Sequence, residues 1–137
     1  REESETILHE VFLGKETTWA IESRENNLLI GTVGLITDPK RENTGLRMIG
    51  YWLDQPYWGR CFMREASVAA LDHAFRTLRM PAVTATCYPD NDRSHGLLLR
   101  LGFEPEGTLR MADKDRHGTL RDLLSFILTR EKFLSIH

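Results

Sequence analysis

The chain has only two cysteines, no long apolar run and no block of one charge. Its two cysteines, Cys61 and Cys87, lie in no metal-type spacing among 137 residues, which excludes a disulfide-stapled scaffold and fits a reduced compartment. No apolar stretch approaches the roughly 18 residues that a membrane-spanning helix requires, and the first residues are charged rather than signal-like. The expectation is a soluble cytoplasmic chain with no membrane partner. Eighteen basic and twenty acidic side chains leave a net charge of −2, and no run of Lys or Arg is long enough for a polyphosphate footprint, so nucleic acid is not the expected ligand. With no internal repeat, low-complexity tract or linker, residues 1–137 read as a single domain, large enough to bury about two-thirds of its unfolded surface.

Ser4 to Leu13 places Ile7, Leu8, Val11 and Phe12 at helical spacing, with Ser4 as an N-cap and Gly14 as a stop, so a short amphipathic helix is expected there. Thr17 to Glu22 and Leu28 to Ile36 read as a hairpin around Arg24-Glu25-Asn26-Asn27, and Gly31 and Gly34 in its second strand mark close packing or a bulge. Leu46 to Leu53 alternates as a strand covered on both faces. The period then changes: Val68, Leu71, Phe75 and Leu78 form one stripe of a helix from about Met63 to Leu78, ended by Pro81. A short strand from Ala82 to Tyr88 completes a strand, helix, strand unit expected to be a parallel crossover. Asn91 or Asp92 caps a second helix that Gly102 ends, and Thr108 to Lys114 with Leu120 to Thr129 make a last hairpin around His117-Gly118. The fold class is α/β, with a mixed, mainly antiparallel sheet in a three-layer arrangement.

Chemistry concentrates in three stretches. Tyr57-Trp58-Gly59-Arg60-Cys61-Phe62-Met63-Arg64-Glu65-Ala66 is a loop turning into a helix, where unpaired backbone N–H groups and the positive end of the helix dipole face outward. A pyrophosphate could accept several N–H bonds there while Arg60 and Arg64 add charge. Asn91-Asp92-Arg93-Ser94 and Leu101-Gly102-Phe103-Glu104-Pro105-Glu106-Gly107 follow. For Asn91 and Ser94 a helix cap is the structural reading, and it is compatible with a functional one. Trp58 either packs the loop or stacks on a ligand, with packing ahead.

These residues, together with Gly31 to Gly34 and Gly50-Tyr51-Trp52-Leu53, resemble the GCN5-related N-acetyltransferase (GNAT) superfamily, and within it the Rim-type branch that acetylates N-terminal amines of ribosomal proteins. The resemblance covers about residues 17 to 134. It implies a GNAT-like three-layer α/β/α fold of seven strands, splayed between the fourth and fifth to admit a pantetheine arm. It further implies direct transfer of an acetyl group from acetyl-CoA to a primary amine, a protein N-terminus or a small molecule, with coenzyme A as product. Cofactor binding would fall to Leu53, Trp58, Gly59, Arg60, Cys61, Phe62, Met63, Arg64, Asn91 and Ser94. Ser94 would act as the acid toward the coenzyme sulfur with Asn91 beside it, and a backbone N–H near Leu53 would meet the thioester carbonyl. No metal is implied.

The chain departs from the family at Cys61, usually Gly, and at Met63, usually Gly or Ala. A side chain at Cys61 would narrow the pocket, turn outward or weaken the cofactor's hold; an acyl-cysteine role is the minor reading. These departures motivate the alternative of a non-catalytic acyl-CoA-binding or sensing module. For the base, Glu22, Glu106 and Asp122 stay open together, while His73 and His95 read as structural or exposed. Family members usually begin with a further strand and helix before the segment equivalent to Ser4, so an N-terminally trimmed domain is expected, and a homodimer is one arrangement that would cover the edge left behind.

Overall fold

A computed structural model of the chain describes residues 6–13, 16–59 and 61–137. Seven strands form one sheet: β1 (Thr6–Leu13), β2 (Glu16–Ser23), β3 (Leu29–Thr37), β4 (Arg47–Leu53), β5 (Ala82–Cys87), β6 (Glu104–Lys114) and β7 (Leu120–Thr129), in the order β1-β2-β3-β4-β5-β7-β6. Every neighbouring pair is antiparallel except β4 and β5, which run parallel because helix α1 (Phe62–Asp72) crosses between them. Helix α2 (Asp92–Leu101) follows β5, and helix α3 (Arg130–Ile136) follows β7. No described helix is long and apolar enough to cross a membrane.

The helix expected over Ser4 to Leu13 is a strand from Thr6 onward; Ser4 and Gly14 lie outside the described residues. Ile7, Leu8, Val11 and Phe12 satisfy a helical period, yet Thr6, Ile7, Val11 and Phe12 are β-branched or aromatic. Eight residues are paired to β2, from Thr6 opposite Ser23 to Leu13 opposite Glu16, and that ladder outweighs a short helix, which is marginal by itself.

The core lies between the sheet and its helices. From the sheet come Ile21, Val33, Leu35, Val83 and Leu128; α1 contributes Phe62, Ala66, Ala70 and Leu71, and α2 contributes Leu98 and Leu101. Beyond Asp72 the helix widens into a π-turn over His73–Thr77. Phe75 stays buried, while Leu78, expected on the same stripe, is 48% exposed because the wider turn shifts the face it presents. Helix α2 starts at Asn91, whose side chain accepts from the Ser94 N–H, and stops at Gly102 in the left-handed conformation (φ 105°), as its capping residues predict. The last hairpin turns at Asp115, whose carboxylate accepts the N–H groups of His117 and Thr119.

Candidate active site

The sheet opens between β4 and β5. Only Arg47 and Met48 of β4 pair with β5, opposite Val83 and Thr84, so from Ile49 onward the facing edge of β4 has no strand beside it among the described residues. Which backbone groups face this gap follows from the β3–β4 register. The Asp54 N–H donates to the Ile30 carbonyl at 2.8 Å, and Gly31 stands opposite Leu53. Antiparallel pairs alternate between hydrogen-bonded and non-bonded, so the Leu53 N–H and C=O turn away from β3 and into the gap. The Leu53 carbonyl there accepts from Trp58 Nε1 at 2.8 Å.

That bond fastens the loop after β4 to the strand end. The Arg93 guanidinium covers the Trp58 ring at 4.2 Å from its centroid, which ties the same loop to the first turn of α2. Trp58 therefore packs the loop, and no ligand is needed to explain its position. The chain then passes Gly59 (φ 76°) and Cys61 (φ 64°) before α1 begins at Phe62. Arg60 lies outside the described residues. Cys61 is exposed, the N-cap of α1, and one of four non-glycine residues at positive φ among those described. The amides of Met63 and Arg64, in the first turn, have no intrahelical carbonyl to bond.

Loop, α1 and α2 enclose a cleft of about 650 Å³ that runs into the gap. Leu53, Phe62, Met63 and Leu97 give it apolar walls; Arg64, Arg93 and Arg100 give it positive charge. Arg93, Leu97 and Arg100 lie four and three residues apart on one face of α2, a spacing visible in the sequence once the helix is placed. Tyr51 and Trp52 also line the cleft. Both faces of β4 were expected to be covered, but Trp52 is 60% exposed and leaves the face opposite Tyr51 open.

Asn91 and Ser94 come together at the cleft. Asn91 Oδ1 accepts from the Ser94 N–H at 3.1 Å, and the Ser94 hydroxyl, 8% exposed, meets the Tyr51 phenol at 2.5 Å. Burial pushes the Tyr51 phenol above its usual pKa, and the Ser94 bond only partly opposes it. The thiol of the buried Cys87, near Ser94, is likewise raised by burial. The Tyr51–Ser94 bond escaped the motif reading, because it joins a strand to a helix 43 residues on.

The candidate bases are not gathered there. Glu22 bonds His9 at 2.8 Å, Asp122 accepts the Met111 N–H, and Glu106 bonds Arg41 at 2.7 Å and Ser125 at 2.8 Å. Burial alone would raise Glu106, but Arg41 and Ser125 outweigh it and hold the carboxyl low, so it is a weakened base. None of the three lines the cleft. His73 packs edge-on against Trp19 and His95 lies against Phe126, both structural contacts.

An elongated cleft with an apolar arm, a cationic mouth, a helix N-terminus and an unpaired strand edge fits a ligand with an apolar arm and an anionic end, as acyl-coenzyme A has. Comparison with known proteins points the same way. A Bacillus licheniformis protein named uncharacterized N-acetyltransferase p20 is 32% identical over 120 residues, 88% of this chain and 66% of that protein. The Escherichia coli [ribosomal protein uS5]-alanine N-acetyltransferase is 42% identical over 59 residues, 43% of this chain and 30% of the enzyme. The chain thus spans less than two thirds of the length of these curated relatives. The solved ribosomal-protein-S5-alanine acetyltransferase of Vibrio fischeri superposes with a TM-score of 0.76 at 24% identity, covering 86% of this chain and 63% of that one, a likeness of fold. The sequence profile of the acetyltransferase (GNAT) domain matches residues 1–104, more than half of the chain. With the seven-stranded sheet parted between β4 and β5, this match establishes that the chain belongs to the GNAT acetyltransferase domain family.

Proposed function

We propose that the protein transfers an acetyl group from acetyl-CoA directly to a primary amine, and that its acceptor is a protein N-terminal amine of the Rim type or a small-molecule amine. The observation that carries this reading is the meeting, at one gap in the sheet, of the Leu53 amide, the Ser94 hydroxyl and the cationic walls of the cleft. When bound, acetyl-CoA supplies an acetyl group activated as a thioester. Amides of the first turn of α1, with Arg64, Arg93 and Arg100, hold its anionic end. Leu53 presents its N–H to the thioester carbonyl, where negative charge develops. Ser94 holds a proton at Oγ for the departing sulfur, and Asn91 fixes the Ser94 backbone through its cap. The two free cysteines fit action in a reducing cytoplasm.

The test is thiol release from acetyl-CoA in the presence of peptides with free and blocked N-termini and of small primary amines. Turnover restricted to free amines is the expected result, with Ser94→Ala slowing it by about 10²-fold, the size of a typical acid-base contribution. Micromolar binding of acetyl-CoA without turnover of any amine would instead establish the non-catalytic module.

A further inference from the structure

The hydroxyl of Ser94 has one proton to give, and its direction depends on the groups around it. A serine oxygen donates once and accepts twice. The Tyr51 phenol bonds it at 2.5 Å. A phenol is the better donor and an aliphatic alcohol the better acceptor, so the Tyr51–Ser94 bond runs from phenol to serine. We propose that Tyr51 is the positioning residue of the site: its phenol donates to Ser94 Oγ and thereby leaves the Ser94 proton free for a sulfur acceptor. The inference rests on the proposed transferase reading, and it assigns to β4 a role that the Asn91/Ser94 motif on α2 does not contain.

The surroundings support this direction of donation. Ser94 is held from two sides, its backbone N–H by Asn91 Oδ1 and its side chain by Tyr51, so the oxygen cannot swing without breaking one of the bonds. Cys87 is a weak acceptor and competes poorly with a thiolate. The burial that raises the phenol keeps Tyr51 protonated through the working pH range, so it stays a donor throughout and is not itself consumed. The proton balance closes without it. As the carbon–sulfur bond breaks with its electron pair on sulfur, Ser94 gives its proton to that sulfur; the proton shed by the amine as the amide forms passes through water and restores Ser94.

The experiment is a double-mutant cycle on steady-state kinetics with Tyr51→Phe, Ser94→Ala and the double variant, each also examined by thermal melting. Tyr51→Phe keeps the ring and removes only the hydroxyl. The expected result is a kcat about 10-fold lower for Tyr51→Phe with KM for acetyl-CoA within about twofold of wild type, and a double variant no slower than Ser94→Ala alone, because Tyr51 acts through Ser94. A Tyr51→Phe enzyme with wild-type kcat would overturn the inference, as would a double variant slower than Ser94→Ala by a further factor of about 10. A rise in KM that parallels a lowered melting temperature, with kcat unchanged, would make Tyr51 a packing residue and also overturn it. Failure of the wild-type protein to acetylate any amine is a separate outcome: it removes the transferase reading itself, and the inference with it.

Discussion

Cys61 is where a single residue most directly tests the cleft. It occupies a left-handed conformation at the N-cap of α1, which costs a residue with a β-carbon about 1–2 kcal/mol. Glycine escapes that cost but gains freedom in the unfolded chain, worth about 0.4–1 kcal/mol against folding. These terms nearly offset, so Cys61→Gly should change stability by no more than about 1 kcal/mol, whereas the branched Cys61→Val should lose about 1–2 kcal/mol, both read from urea midpoints. The exposed thiol lines the cleft, so its removal should tighten acetyl-CoA binding by about threefold or more in calorimetric titration, less than 1.4 kcal/mol. Unchanged affinity would mean that the side chain already points clear of the ligand. At Asn91 the cap itself is testable: Asn91→Ala should cost about 1 kcal/mol, and Asn91→Asp, which keeps the acceptor, should retain most of it.

Strand β4 lines the candidate site where, from Ile49 onward, its ladder partner is β3 alone. Its hold on β3 includes a close approach at Gly31, where an added Cβ would stand 2.1 Å from the Trp52 carbonyl oxygen and 3.0 Å from the Leu53 Cα. Gly31→Ala must push the two strands apart; a loss of about 2 kcal/mol or more is expected, together with weaker acetyl-CoA binding, since the Leu53 amide would move with the strand. Wild-type melting and binding by this variant would show that β4 is not fixed from the β3 side. Close packing at Gly31 was readable in the sequence, as were α2 between Asn91 and Gly102, where cap, period and stop agree, and the parallel crossover from the change of period after Pro56. Thr6–Leu13 was not, because its apolar spacing serves a helix and a strand alike, and its hydrogen-bonding partners lie in β2. Arg130–Ile136 is too short to display a period. In the candidate site, the Asn91–Ser94 cap is legible in the spacing, whereas the Tyr51 and Arg93 contacts form only when β4, the loop and α2 meet.

At the scale of the whole molecule, the gap at the candidate site also divides the sheet into β1–β4 and β5–β7–β6, joined at the ladder by only two residue pairs. A polar network reinforces that junction. Asp38, fully buried after β3, accepts from Thr84 of β5 at 2.7 Å, from Lys40 Nζ at 2.9 Å and from Arg41 at 3.0 Å; Arg41 reaches on to Glu106 of β6, which holds Ser125 of β7. Burial alone would raise the Asp38 carboxyl, but the bonds from Thr84, Lys40 and Arg41 outweigh it and hold the group well below the usual carboxylate range. Glu106 is shifted in the same direction. A carboxyl whose folded pKa is depressed contributes stability that is present above its unfolded pKa, near 4, and is lost as pH falls from there through the folded value. The protein should therefore lose stability progressively below about pH 4. Asp38→Asn removes the charge that Lys40 and Arg41 answer; it should be less stable at pH 7, by roughly 2 kcal/mol because both cations remain partly in water, and should show a shallower decline between about pH 4 and pH 2. Urea unfolding across that range measures both effects. Parallel acid limbs for the two proteins would place the acid sensitivity in other carboxylates and leave Asp38 with only its neutral hydrogen bonds. Divergent limbs, together with a loss of acetyl-CoA affinity in Asp38→Asn at neutral pH, would show that the closed end of the sheet holds the open end in the shape its ligand needs.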